Sequence, residues 1–520
     1  MPAPEFVPAD LNALALAPVA IVLAAALIGV LVETFVPRRS RHTIQVVLSV
    51  LALGVAFLVL ALNVPRVVGP TMSGAIVLDG PTIVLQLLLL IMGLISVLVM
   101  AERFDGRLAD AFTPSGASVP GSHAEGVAER LGSSNEVYPL ALFSLAGMML
   151  FPAAGDLLTM FIALELLSLP LYVLTALARR KRLLSQEAGL KYFLLGSFAS
   201  AFFLFGAALL FGYSGSMQFR RIAEAIGTQS AMDPLLVLGC LCVLVGLFFK
   251  VGAVPFHSWT PDVYQGAPTP VSGFMAACTK AAAFGAMLRV VYTGIDADRW
   301  DWMIVLWVVA GLTMIVGSIL SVTQSDMKRM LAYSSIAHAG FVLVGVLAFD
   351  RSAVAAVLFY LATYGFAVLA AFGIVMLVRT RDTGAEATSL TQWTGLGKRS
   401  PLVAGAFAFL LMAFAGLPLT SGFTAKFAVF SAAIAHAGVP GAVLAVIGML
   451  CSAVTAFVYF RVVRIMFTVD PEGDDDGIVV LTPSLGTISA ITVSVALTLL
   501  LGVFPAPLLD LMSSLSTFIR

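Results

Sequence analysis

The sequence predicts an all-α polytopic membrane protein of about fourteen transmembrane helices. Three observations carry that prediction. Of 520 residues, 60% are hydrophobic and only 11% charged. The mean hydropathy of +1.02 lies far outside the range of soluble domains. Apolar windows of about 20 residues, the length a spanning helix needs, recur along the whole chain. Formal net charge is zero, so no basic arm points to nucleic acid.

The first window, 11–36, follows an N-terminus with no basic n-region or small-residue cleavage site and reads as a retained span. Arg38, Arg39 and Arg41 close it, and windows at 43–64 and 82–101 follow. The longest polar insertion, residues 102–137, is predicted as a cytoplasmic linker; its Gly, Ser and Pro content predicts partial disorder. Windows at 138–154, 156–178 and 188–213 supply spans four to six, with Arg179, Arg180, Lys181 and Arg182 after the fifth. The remaining windows are 234–257, 269–293, 302–323, 328–349, 352–378, 401–437 (broken), 441–466 and 485–511. The acidic turn from Asp470 to Asp476 lacks the glutamate that closes a calcium loop and reads as a solvated linker.

Loops after odd-numbered spans hold eighteen Lys and Arg residues and the opposite loops six. The odd-span loops are therefore expected in the cytoplasm, with both termini outside. Five cations, Lys191, Lys250, Lys280, Arg289 and Lys426, fall within predicted spans.

Those intramembrane charges are the functional signal. Only seven lysines exist against 22 arginines, yet four of the seven lie in spans. Each costs about 2.5–3.5 kcal/mol at a helix centre on insertion scales. Lysine differs from arginine in that desolvation brings its proton release toward neutrality. A proton carrier needs that property. One carboxylate, Glu165, shares the setting, with Lys250 or Lys280 as its expected partner; an ion pair that only pins helices together is the competing reading.

Two spans are interrupted beside these lysines. Lys250 is followed by Val251-Gly252-Ala253-Val254-Pro255, and Gly416-Leu417-Pro418 precedes Lys426. Proline removes a helix hydrogen bond, and freed carbonyls inside a membrane must face protein or water. Discontinuous helices beside ionisable residues point to an ion path. Ser334, Ser335 and His338 form a polar stripe at helical spacing. His257 shares a face with Lys250 if the helix continues past its break. Either histidine can relay protons or sit as a satisfied interior group.

Cys240, Cys242, Cys278 and Cys451 lie in apolar runs without metal-ligand spacing and read as buried small side chains. No metal site, phosphate loop, nucleotide fingerprint, haem or iron–sulfur pattern, or hydrolase triad spacing is present. The chain alone has no means to do redox chemistry or split ATP.

The stretches ALELLSLPLYVL, FFKVGAVPFHSWTPDVYQGAPTPVSGFMAACTKAAAF, QSDMKRMLAYSSIAHAGF and AFAGLPLTSGFTAKF resemble the antiporter-like, proton-conducting membrane subunits of type I NADH:quinone oxidoreductase, respiratory complex I. The resemblance covers about 138–467. It implies three N-terminal spans (1–101), the linker (102–137), two inverted five-helix repeats (138–293 and 302–467), each with one broken helix, and a last span (485–511). One subfamily carries a long C-terminal lateral helix that this chain lacks, and another has a glutamate where this chain has Lys426, which points to the remaining subfamily.

The resemblance further implies that Glu165 pairs with Lys250, that Lys280 is the connecting lysine and His338 the central relay, that Lys426 ends the second half-channel, and that Lys191 belongs to the first half. It assigns Arg289 nothing. It also implies a bacterial plasma-membrane location, no cofactor in this chain, and NADH, FMN, iron–sulfur clusters and quinone in other subunits. Partners would be neighbouring membrane subunits, including other antiporter-like ones, and the lipid bilayer. A multisubunit sodium/proton antiporter and a non-pumping scaffold subunit are the alternatives.

Overall fold

A computed structural model describes residues 10–104, 110–116, 118–119, 121–130, 135–228, 234–381, 384–469 and 477–519. Among them, twelve helices are long and apolar enough to cross a membrane, accompanied by two shorter apolar helices, Val137–Ala153 and Pro401–Ala415. One of the twelve, Ser421–Thr468, is 48 residues long. At 1.5 Å per residue that is about 70 Å, more than twice the hydrocarbon core of a bilayer. It turns at Gly438, where φ of 61° and ψ of −141° leave the helical region. Taken as two crossings, and with Val137–Ala153 as another, it brings the total to the fourteen spans expected.

Spans 1 to 6 are Ala13–Phe35, Arg38–Leu62, Gly80–Met100, Val137–Ala153, Leu157–Thr175 and Arg182–Ser214. Span 7 is Pro234–Val251 continued by Trp259–Gly266, and span 8 is Thr269–Gly294. Spans 9 to 11 are Arg299–Val322, Met327–Val346 and Arg351–Leu377. Span 12 joins Pro401–Ala415 to residues 421–437, span 13 is 439–468, and span 14 is Leu485–Val503.

Several helices start on a side chain that takes up a free backbone amide. Asp79 accepts from Thr82 N, Asp156 from Thr159 N and Asp326 from Arg329 N. Each satisfies a donor that the first helical turn leaves open and places negative charge at the positive end of the helix dipole.

Loops after odd-numbered spans meet on one face. Val378–Thr380, after span 11, pairs antiparallel with Ile478–Val480, after span 13, with Val378 opposite Val480. Lys181, after span 5, donates to Thr388 at 3.0 Å. Loops after spans 2, 4 and 6 meet on the other face, through the bridges Ile76 to Ala154 and Asp156 to Gln218.

Spans 8 and 11 form the centre, where the whole of the most apolar stretch is buried, whereas 33% of that of span 2 and 28% of that of span 14 is. A helix apolar on all sides belongs inside. The outer spans present Phe198, Phe205, Leu450 and Phe457 outward, as a lipid-facing surface requires.

Span 7 breaks after Val251, beside Lys250 as expected. One boundary is corrected. The last window splits at Pro505, which offers no amide to continue the ladder, into span 14 and Ala506–Ser514. The described part of the linker is ordered: Thr113 N donates to Leu177 O at 2.8 Å, Arg179 pairs with Asp110 at 3.2 Å, and the helix His123–Arg130 is tied by Glu125 to Arg182 at 3.3 Å. Burial lifts the Asp110 carboxyl above its ordinary value, against the pull of Arg179. The acidic turn at 470–476 lies outside the described residues.

Candidate functional site: a row of buried lysines

Both broken spans end their first half in the same way. At Gly252 (φ 75°) the amide of Gly252 bonds Phe249 O at 3.1 Å and that of Ala253 bonds Phe248 O at 2.9 Å. At Gly416 (φ 81°) the amide of Gly416 bonds Ala413 O at 3.0 Å and that of Leu417 bonds Met412 O at 3.2 Å. This is the Schellman arrangement, which needs a left-handed residue and so selects glycine. Val254-Pro255 and Pro418 then prevent continuation. Trp259 Nε1 gives Phe249 O a second donor at 3.0 Å, and the carbonyls left over at the other break, Phe414 O and Ala415 O, accept from Lys426 Nζ at 2.9 Å each.

Lys250 lies in the last turn before the first break and Lys426 reaches back to the second. In sequence one precedes its break and the other follows it. The Lys426 ammonium lies on the end carbonyls of the first half-helix of span 12, the negative end of its dipole, whereas the Lys250 side chain reaches spans 5 and 6.

Lys250 Nζ donates to Ser168 Oγ at 2.7 Å and to Tyr192 OH at 3.3 Å. Ser168 follows Glu165 by three residues, so the two share a face of span 5. Glu165 acts on Lys250 electrostatically without forming an ion pair with it, and its buried Oε1 has no hydrogen-bond partner among the described residues. The expected Glu165–Lys250 pair is therefore open, with Ser168 in the contact position. Tyr192 is held by stacking on Trp259 at 4.7 Å and by the edge of Tyr172 at 4.8 Å.

Lys280 follows a π-helical turn, Met275–Thr279, in the middle of span 8. Such turns are rare and recur at functional sites. Its Nζ donates to the carbonyl and hydroxyl of Ser335 and lies 5.6 Å from the Tyr364 ring. His338, one turn further along span 10, places Nδ1 2.7 Å from Tyr360 OH, with the tilted Tyr364 ring at 4.8 Å and Phe414 edge-on at 5.7 Å. Lys280 and Lys426 are both close enough for their charge to act on His338. Lys426 completes its set with Ser452 Oγ at 2.6 Å. Lys280, His338 and Lys426 are thus joined through Ser335, Tyr364 and Phe414. Tyr360→Phe removes the only hydrogen-bond partner of the His338 ring among the described residues, and if His338 relays protons the expected result is a loss of proton transfer of about tenfold with assembly unchanged, read as NADH-driven proton uptake.

Lys250, Lys280 and Lys426 are 4%, 4% and 6% exposed. Every hydrogen-bond partner they have is a neutral hydroxyl or carbonyl, and among the described residues none of the three forms an ion pair. Arg289 is the opposite case. It is paired with Asp79 at 2.9 Å and donates to Pro152 O and Thr82 Oγ1 at 2.9 and 2.6 Å. Arg289, which cannot discharge, has a counter-ion; Lys250, Lys280 and Lys426, which can, have none among the described residues.

Two predicted residues stand apart from this row. Lys191 is 42% exposed and pairs with Glu187 at 2.7 Å and Asp262 at 2.8 Å, and Asp262 also binds Arg329 at 2.7 Å. His257 sits in the turn between the halves of span 7, so it does not share a helical face with Lys250. Sequence reasoning missed Ser168, Tyr192 and Tyr360, which are ordinary residues in isolation, and it left Lys328, the first residue of the 328–349 window, out of the intramembrane cations although it is buried in the first turn of span 10. No cluster of His, Cys, Asp and Glu fit to hold a metal occurs among the described residues.

Residues 154–455 match the family described as NADH:quinone oxidoreductase/Mrp antiporter, TM. The chain is 51% identical to NADH-quinone oxidoreductase subunit N of Rhodococcus opacus, with 97% of this chain and 96% of the relative covered. Subunit N of Parafrankia is also 51% identical, over 100% and 98%. Among solved structures, a chain of respiratory complex I from Thermus thermophilus with bound aureothin superposes with a TM-score of 0.76 at 32% identity, covering 95% of this chain and 99% of that one. A chain of the Mrp complex from Dietzia shares the fold, with a TM-score of 0.77 at 22% identity over 97% of both. With a family match over more than half its length and half-identical relatives along nearly all of it, this chain belongs to the NADH:quinone oxidoreductase/Mrp antiporter family of membrane subunits.

Proposed function

We propose that this chain is the proton-translocating, antiporter-like subunit N of a bacterial NADH:quinone oxidoreductase, a multi-pass plasma-membrane protein packed against other membrane subunits of that complex. Protons move outward along Glu165, Lys250, Lys280, His338 and Lys426, driven by quinone reduction elsewhere. Redox chemistry, with NADH, FMN, iron–sulfur clusters and quinone, belongs to partner subunits. Spans 4–8 and 9–13 act as two inverted halves around one broken helix each, the odd-span loops face the cytoplasm, and both termini lie outside.

The observation that supports this most is the buried lysine row with neutral partners. A buried charge without a counter-ion is costly, and a scaffold gains nothing from carrying three. A conductor gains a group that discharges. When Glu165 swings toward Lys250, a unit pair at about 4 Å and an effective dielectric near 20 is worth roughly 4 kcal/mol before desolvation. Closing the pair holds the proton; opening it, as here, lets Lys250 pass it through Tyr192 and Ser168 toward Lys280. Lys191, with Asp262 and Arg329, serves the first half from its rim, and His257 relays protons beside the break through that turn.

Native electrophoresis after mild solubilisation tests the assignment. The chain is expected to comigrate with a very large band that oxidises NADH. Migration in a smaller assembly without that activity, with sodium-dependent proton flux in vesicles, would overturn it in favour of the antiporter alternative.

A further inference from the structure

We infer that Lys328 and Glu386 form the station at which protons enter the row from the odd-span face, a second carboxylate–lysine pair that loads Lys280. This rests on the proposed function of the row.

Lys328 is buried in the first turn of span 10, and its Nζ donates to Ala267 O at 2.7 Å and approaches Glu386 Oε2 at 3.5 Å. Seven residues further, two turns or about 10 Å along the same face, is Ser335, the group that holds Lys280. The second half-helix of span 7 serves both ends of that interval. Its terminal carbonyl, Ala267 O, receives Lys328, while the hydroxyl of Tyr264, three residues earlier, approaches Ser335. Ser272 donates to Tyr264 O at 2.8 Å and follows Thr269, whose hydroxyl faces Glu386. Hydroxyl groups therefore line the way from the pair to Lys280 on spans 7, 8 and 10.

Glu386 is on the loop between spans 11 and 12, at the odd-span face. Beside it lies a cavity of about 30 Å³ bordered by Lys181, Pro268 and Arg379. The charged groups around the pair are Lys181, Arg379 and Asp326. Burial pushes the Glu386 carboxyl up, but Lys328 first and Arg379 next outweigh it and keep it below its ordinary value. Glu386, 3.5 Å from Lys328 Nζ, is thus its counter-ion. In the loading step the Lys328 ammonium gives its proton by way of Tyr264 and Ser335 to a neutral Lys280 amine. The Lys328 amine left behind takes a proton from water at the odd-span face by way of Glu386, so charge and protons balance over a cycle.

Lys328→Arg separates this role from a merely structural one. Arginine keeps the charge, the Ala267 contact and the Glu386 pair but does not discharge. In inverted vesicles carrying the intact complex, K328R is expected to cut the rate of NADH-driven proton uptake by about tenfold while the NADH-oxidising band stays. Uptake at the parental rate would overturn the inference. If K328R does not assemble, Glu386→Gln decides, with the same loss expected and Glu386→Asp restoring uptake; parental uptake in E386Q overturns it equally. Lys280→Ala measured alongside separates the two levels. Uptake lost there but intact in K328R rejects the entry station alone, and uptake intact in both rejects the proposed function with it.

Discussion

Lys250→Ala is expected to reduce NADH-driven proton pumping by about two orders of magnitude, the lower end of what a positioned proton-transfer group contributes, while the complex still assembles. Assembly survives because the partners of Lys250 are cared for without it. Ser168 Oγ keeps its bond to Leu164 O, and Tyr192 remains clamped between Trp259 and Tyr172. Losing the side chain leaves a void, but it also removes a charge buried beside neutral groups, and these two effects oppose each other. Glu165→Gln is expected to act in the same direction, since it removes the charge that holds the Lys250 proton. Lys250→Arg keeps the charge and abolishes discharge, so it should pump no better than alanine. Inverted vesicles with a proton-sensitive dye, normalised to NADH oxidation, provide the measurement. Parental pumping by assembled K250A complex would remove Lys250 from the mechanism; lost assembly in K250A with normal pumping per remaining complex would favour a scaffold.

Arg289→Met is expected to produce the reverse phenotype, loss of the subunit rather than loss of pumping in subunits that remain. Arg289 is 1% exposed and ties four parts of the chain together. It reaches Asp79 before span 3, Pro152 O at the end of span 4 and Thr82 inside span 3, and lies 5.1 Å from the Phe518 ring. Asp79 in turn accepts from Ile519 N at 3.1 Å, so the C-terminal segment hangs on the same carboxylate. Removing the guanidinium leaves that carboxylate buried and uncompensated, a change worth about 3–5 kcal/mol in comparable pairs. That is a large part of the stability of a folded domain. Adding Asp79→Asn removes the stranded charge, and the double variant should recover much of the loss, a non-additivity that a double-mutant cycle reads directly. Abundance in the membrane and midpoint of thermal unfolding in detergent are the readouts. An R289M variant as abundant and heat-stable as its parent would show the pair to be dispensable.

The two predictions differ because the two buried cations differ in chemistry and surroundings, and only half of that difference was written in the sequence. Lysine at 250, 280 and 426 against arginine at 289 is a matter of residue type, and it already marked the first three as dischargeable. Composition and window length likewise determined an all-α chain of fourteen spans, because a bilayer core demands about 20 apolar residues with satisfied backbones. Gly252 and Gly416 with their following prolines determined where two spans break, since φ and the missing amide are properties of those residues alone.

What touches each charge was decided only by tertiary structure. Asp79 and Arg289 are remote in sequence, and nothing local distinguishes Asp79 from any other helix cap. Glu165 was expected to contact Lys250, yet Ser168 occupies that position because the turn of span 5 presents both to the same neighbour. Lys191 looked buried by hydropathy, but the rim where span 6 meets span 7 gives it Glu187 and Asp262. Lys328 looked like an ordinary cation at the edge of its window, and a carbonyl at the end of a half-helix from span 7, with Glu386 from a distant loop, draws it inside. Apolar windows register how long a segment stays out of water; which side chains meet inside depends on helix rotation and packing, and those are set by contacts between segments far apart in the chain.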